Sequence, residues 1–203
     1  MDDAACAARG LDLAAVAAAC LQGGVRLLQI RWKAPGSAGF LALAEAVVRD
    51  AHRLAARVIV NDRADIARMA RADGLHVGQD DLDVESARKI VGGNAILGVS
   101  THDRLQIDAA LDSSASYVAV GPVFDTRTKE TGYDARGLEL VAYAAGRGKP
   151  VVGIGGITLE RAASVLEAGA SAVAVISDLL TSGDVEARAR AFVSALPALP
   201  FKV

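Results

Sequence analysis

Seven short apolar runs, each followed by a loop and then a segment of helical period, constrain this chain more than any single motif. The runs lie at 26–30, 58–60, 74–77, 95–99, 117–120, 150–153 and 172–176. Helical segments lie at 38–55, 63–71, 83–91, 103–112, 137–147, 158–168 and 183–195. The runs are mostly apolar rather than alternating, as in strands covered on both faces. Strand–helix alternation at this pace predicts an α/β fold with a parallel sheet. A (β/α)8 TIM barrel needs eight strands, and seven are countable. The absent one belongs at the front. Residues 11–22 read as an alanine-rich helix ended by Gly23 and Gly24. The ten residues before it, M-D-D-A-A-C-A-A-R-G, hold no β-branched residue. The expectation is a barrel whose first strand is missing or degenerate, which would expose two unpaired edges. A start displaced into the gene would account for this, and restoring upstream codons should then raise melting temperature and activity.

The chain has 203 residues without a linker or low-complexity tract, so 1–203 reads as one domain. A net charge of −2 provides no basic field for nucleic acid or an anionic membrane. Anionic ligands must be held by local groups. No apolar run approaches the ~20 residues of a membrane span. The start, Met1-Asp2-Asp3, lacks the basic region of a secretory signal, so the cytoplasm is expected. Cys6 and Cys20 are too few for a disulfide framework and read as small apolar residues in or before a helix.

In parallel α/β proteins, ligands sit at the carboxyl ends of strands. After run 117–120 comes G-P-V-F-D-T-R-T-K-E-T-G, where Thr126, Thr128 and Lys129 place three donors in four residues. After run 150–153, Gly155 and Gly156 precede Thr158 at a helix start, offering bare backbone N–H groups to an anion. Ile176 and Ser177 end the last run, and phosphate held between the last two strand loops is a recurrent barrel device. Two anion-ready loops imply a substrate with two phosphorylated parts, or two phosphorylated substrates.

At the end of the first run, Gln29, Arg31 and Lys33 alternate to one face, with Ile30 and Trp32 on the other. Two cations and an amide there suit a diphosphate, or form a solvated strand end. Asn61 and Asp62 follow the next strand, and Asp81, beside Asp80, follows the one after. Two carboxylates on adjacent strand ends suit Mg²⁺; the alternative is helix capping. Ser100 and His102 lie in G-V-S-T-H-D. Ser100 suits donation to a phosphate or a ring nitrogen, and no G-x-S-x-G elbow marks it as a hydrolase nucleophile. His76 and His102 lack the cysteine or histidine company of a metal site.

Seven motifs in order resemble the thiamine phosphate synthase family: Q-I-R-W-K, N-D-R-A-D, A-D-G-L-H-V-G-Q-D-D-L, G-V-S-T-H, G-P-V-F-D-T-R-T-K, G-I-G-G-I and V-I-S. The resemblance covers about residues 12–180. It implies a (β/α)8 barrel that joins a hydroxymethylpyrimidine diphosphate to a thiazole phosphate, with Mg²⁺ and as a homodimer. It assigns Gln29, Arg31, Lys33, Asn61, Ser100 and Lys129 to the pyrimidine diphosphate. Asp62 and Asp81 go to Mg²⁺, and Thr126, Thr128, Gly156, Ile176 and Ser177 to the thiazole phosphate. Arg31, Lys33, Lys129 and Ser100 would carry catalysis. Trp32 stands where the family usually has a charged residue, and should point away from the site. The rival readings are a thiazole tautomerase, a non-catalytic phosphate-ligand sensor, and a sugar-phosphate isomerase on the same barrel.

Overall fold

The computed structural model describes residues 1–126 and 132–196. The elements begin with α1 (Asp3–Ala7), α2 (Leu13–Gln22), β1 (Leu27–Ile30), α3 (Ser37–Arg53), β2 (Arg57–Asn61), α4 (Ala64–Met69) and β3 (Gly74–Val77). They continue with α5 (Val84–Val91), β4 (Ile96–Thr101), α6 (Arg104–Asp112), β5 (Tyr117–Val120), α7 (Gly137–Ala144) and β6 (Val151–Ile154). The last are α8 (Leu159–Glu167), β7 (Ala172–Ala174), α9 (Ser177–Leu180) and α10 (Val185–Ala195).

The seven strands form one sheet in the order β1 to β7, every neighbouring pair parallel. Their apolar side chains explain why. Ile30, Val58, Val60, Leu75, Val77, Leu97, Val118 and Val120 are all buried. Each such side chain taken from water stabilises the fold by about 1.5–3 kcal/mol. The helices cover the sheet with small buried faces, among them Ala44 and Ala51 of α3, Ala87 of α5 and Ala162 of α8. Alanine on those faces lets a helix approach its strand closely. Cys6 and Cys20 are free and buried, in α1 and α2.

The segment before α2, where a further strand was expected to be missing or degenerate, is not a regular strand. Residues 1–3 run beside β1 but make one isolated parallel bridge, Asp2 to Arg31. The Met1 amino group donates to the Gln29 carbonyl. Arg31 N–H donates to Met1 O at 2.8 Å, and Asp3 N–H to Arg31 O at 3.1 Å. The chain then turns at once into α1, with the Asp2 carboxylate accepting from Ala5 N–H at 2.8 Å. Alanine favours helix and no β-branched residue opposes it, so the ladder ends after one bridge. Among the described residues no ladder joins β7 to this segment. They form a seven-stranded parallel sheet rather than a complete (β/α)8 closure.

Candidate active site

The strand ends gather charge on one side of the sheet. Beyond β1 the expected alternation holds. Gln29 turns towards Tyr117 of β5, whereas Ile30 is buried and Trp32 stacks on Phe40 of α3 with ring centres 5.9 Å apart. Arg31 pairs with Asp2, a residue that sequence reasoning passed over. Asp2 is 2 % exposed, and a single bridge leaves no periodic signal to reveal it. Asp3 accepts from the backbone N–H groups of Lys33, at 2.9 Å, and Ala34, at 2.7 Å. The acidic first residues thus hold the Arg31–Lys33 turn by side chain and backbone together.

Lys33 pairs with Asp62. Asp62 stands just past Asn61 with φ 63°, a left-handed conformation uncommon for a non-glycine residue. Its N–H donates to His76 O at 2.8 Å. The capping alternative fails for both acids. The N-cap of α4 is Arg63, without a side-chain cap bond, and α5 is capped by Asp83, which accepts from Ser86 N–H at 2.9 Å. Asp81 accepts from Gly78 N–H at 2.8 Å. Burial first, and then the hydrogen-bonded Asp62 carboxyl, hold Asp81 above the usual carboxylate range. Two acids crowded together beside one lysine suit a hard divalent cation, which takes one or two carboxylates and fills its shell with other oxygens. No group of three or more His, Cys, Asp or Glu lies together among the described residues.

Ser100, in β4, is buried and bonded through Oγ to His76 Nε2 at 2.8 Å. His76 Nδ1 meets the Tyr117 hydroxyl at 2.9 Å. Asn61 is buried at the end of β2. His102 has a structural partner in Gly121 O, at 2.5 Å from Nδ1, and stacks on Tyr133 at 4.2 Å.

Across the sheet, the loops after β5 and β6 are pressed together. Val123 N–H donates to Ile154 O at 2.8 Å, and Phe124 N–H to Gly155 O at 3.1 Å. Gly156 has φ 63°, and a Cβ there would lie 2.5 Å from Asp125 O. Only glycine meets both demands. The N–H groups of Gly155 and Gly156 have no hydrogen-bond partner among the described residues, so the cradle has donors to offer. The start of α8 is more occupied than expected. Leu159 N–H donates to Asp178 at 3.2 Å, and Arg188 ties Asp178 to Glu160, at 2.9 and 3.2 Å. Glu160 accepts from its own N–H, Thr158 and Arg188, which brings its carboxyl down to about 2.

One placement is corrected. The last strand stops at Ala174, so Ile176 and Ser177 do not end it. Ile176 is the N-cap of α9 and Ser177 its first residue. Thr126 is half-buried; Thr128 and Lys129 lie outside the described residues. The structure therefore brings together Lys33, Asp62 and Asp81, and links Tyr117 to Ser100 through His76. It gives Arg31 to Asp2.

No helix among the described residues is long and apolar enough to cross a membrane. Residues 2–179 match the family model described as thiamine monophosphate synthase. A thiamine-phosphate synthase of Saccharopolyspora erythraea is 46% identical over 193 residues, 89% of this chain and 84% of the relative. One from Mycobacterium tuberculosis is 45% identical over 199 residues, 92% of this chain and 89% of the relative. Among solved structures, thiamine phosphate pyrophosphorylase from Pyrococcus furiosus superposes with a TM-score of 0.85 at 28% identity, over 91% of this chain and 89% of that one. With its motifs in order and its acids and glycines at successive strand ends, the chain belongs to the thiamine monophosphate synthase family.

Proposed function

We propose that this chain is a transferase that condenses an amino-hydroxymethylpyrimidine diphosphate with a thiazole phosphate, giving thiamine phosphate and diphosphate. The observation that carries the reading is the meeting of Lys33, Asp62 and Asp81 at the ends of β1–β3, in a chain 46% identical to a thiamine-phosphate synthase. A tautomerase could dispense with the two acids, and their retention argues against that reading.

The reaction breaks the bond between the pyrimidine methylene carbon and the diphosphate oxygen, and the diphosphate leaves with the electron pair. The thiazole nitrogen supplies the pair for the new carbon–nitrogen bond. That nitrogen carries no proton, so no strong base is needed. The chief task is to neutralise charge growing on the leaving group. Arg31, held by Asp2, and Lys33 face that charge, with Lys129 assigned to it by the resemblance. Asp62 and Asp81 would hold Mg²⁺, which supplies further neutralisation of the diphosphate when bound. Lys33 is then free to exchange Asp62 for a diphosphate oxygen. Asn61, Gln29 and Ser100 hold the pyrimidine half. Gly156, Ile176, Ser177, Thr126 and Thr128 hold the thiazole phosphate, with the Gly155 and Gly156 N–H groups as the donors that side-chain substitution cannot remove.

The same proposal makes 1–203 one domain and closes the sheet into a (β/α)8-type barrel, with residues 1–3 in the place of its first strand. A homodimer follows from the family resemblance, and the cytoplasm is its proposed place. The test is a product assay with both substrates, with and without Mg²⁺. Thiamine phosphate and diphosphate should form in equal amounts and only with the cation. Binding of both substrates without either product would point to a sensor instead.

A further inference from the structure

Three buried side chains, Tyr117, His76 and Ser100, form a hydrogen-bonded chain across the sheet interior, and its bonds run in one direction. Gly98 pairs with His76 on one side and with Tyr117 on the other. A Cβ on Gly98 would lie 2.1 Å from the Tyr117 ring. The missing side chain is what lets Tyr117 cross β4 and reach His76. His76, Ser100 and Tyr117 are each no more than 6 % exposed. The Gln79 amide fixes the Ser100 carbonyl at 2.6 Å.

The direction follows from what each group can do. Gln29, half-buried, stands beside the Tyr117 hydroxyl and opposes the effect of burial on that phenol. Burial keeps the phenol protonated far above neutral pH, so its hydrogen goes to its hydrogen-bond partner, His76 Nδ1 at 2.9 Å. A neutral imidazole that accepts at Nδ1 donates at Nε2, here to Ser100 Oγ at 2.8 Å. The Ser100 hydrogen then has no acceptor among the described residues.

We propose that His76 and Tyr117 are positioning residues that fix the polarity of the pyrimidine subsite, with Ser100 as donor. This rests on the reading that Ser100 meets the pyrimidine. The ligand atom at Ser100 must carry a lone pair. A ring nitrogen of an aminopyrimidine offers one. An oxopyrimidine presents an N–H in its place. A site wired to hydrogen-bond one pattern rejects the other because its own buried groups are left unpaired.

Two measurements on the full chain test this. ¹⁵N NMR of histidine-labelled protein, with signals assigned from the His52→Gln and His76→Gln variants, reads the His76 tautomer without any turnover. The proton should sit on Nε2; a proton on Nδ1 overturns the proposal. Kinetics with amino and oxo forms of the pyrimidine diphosphate read the preference. Tyr117→Phe and His76→Leu should each lower the amino-over-oxo ratio of kcat/KM about tenfold. Inhibition by inorganic diphosphate should stay within about twofold of the unaltered protein, which also shows that the variants are folded. His76→Gln, which keeps an amide donor near the Nε2 position, should retain most of the preference. If Ser100→Ala lowers the preference and Tyr117→Phe and His76→Leu do not, the wiring is wrong while Ser100 keeps its place. If Ser100→Ala changes nothing, the underlying assignment fails and takes the proposal with it.

Discussion

The ends of β1–β3 and the loops after β5 and β6 prepare for anions in opposite ways. On the first side, opposite charges already compensate each other: Arg31 with Asp2, and Lys33 with Asp62 beside Asp81. On the second, the donors are the backbone N–H groups of Gly155 and Gly156, held by a loop contact that admits no Cβ. A compensated cluster must exchange partners to bind, so its strength depends on which charges are present. A backbone cradle has nothing to exchange, and its strength depends on shape. This division suits the reaction. Charge grows on the diphosphate during bond breaking, and does not change on the thiazole phosphate.

If the division is right, removing a charge on the first side costs most. Asp62→Ala should lower turnover by roughly two to three decades, since electrostatic groups of this kind are worth about 3–4 kcal/mol. Lys129→Ala should do the same. Near-normal kinetics with saturating substrates and Mg²⁺ would refute both assignments. Next in size is Asp2→Asn, which leaves the Arg31 guanidinium largely buried beside a neutral partner. Breaking such a pair costs about 3 kcal/mol, so the urea midpoint should fall and KM for the pyrimidine diphosphate should rise. An unchanged midpoint would show that the bridge at Asp2 contributes nothing.

On the second side the effects are smaller and steric. Gly156→Ala forces a side chain into a left-handed position 2.5 Å from Asp125 O, at about 1–2 kcal/mol. KM for the thiazole phosphate should rise about tenfold, with inhibition by inorganic diphosphate unaffected. Equal damage to both ligands would erase the distinction between the two sides. The smallest effect belongs to Glu160. Its folded value, about 2, lies below the ordinary 4.5, so the native state favours the ionised form. That stabilisation is fully present above pH 4.5 and is lost as pH falls through about 2. Glu160→Gln should flatten the acid side of the stability curve over that window, as followed by circular dichroism.

Much of the frame was legible in the sequence because it depends on local pattern. The runs at 74–77 and 117–120 became β3 and β5 with the same bounds, being mostly apolar and closed by glycine or polar residues. The run at 172–176 overshot, because Val175 and Ile176 look like strand while the chain is already turning into α9. The nearness of Lys33 and Asp62 followed from placing both at adjacent strand ends, whereas their direct pairing was not foreseen. Asp2 did not show, because a strand shortened to one bridge has no period. The His76–Tyr117 link did not show either. It depends on the register of three strands and on the absence of a side chain at Gly98, and no local window contains all three.

The central claim is that the charged cluster opens to receive the diphosphate. A crystal structure with the pyrimidine diphosphate and Mg²⁺ tests it most directly. The account predicts a cation at Asp62 and Asp81, with Lys33 released from Asp62 and turned, with Arg31, onto the diphosphate. A diphosphate bound elsewhere, with Lys33 still paired to Asp62 and no ion at the two acids, would contradict it.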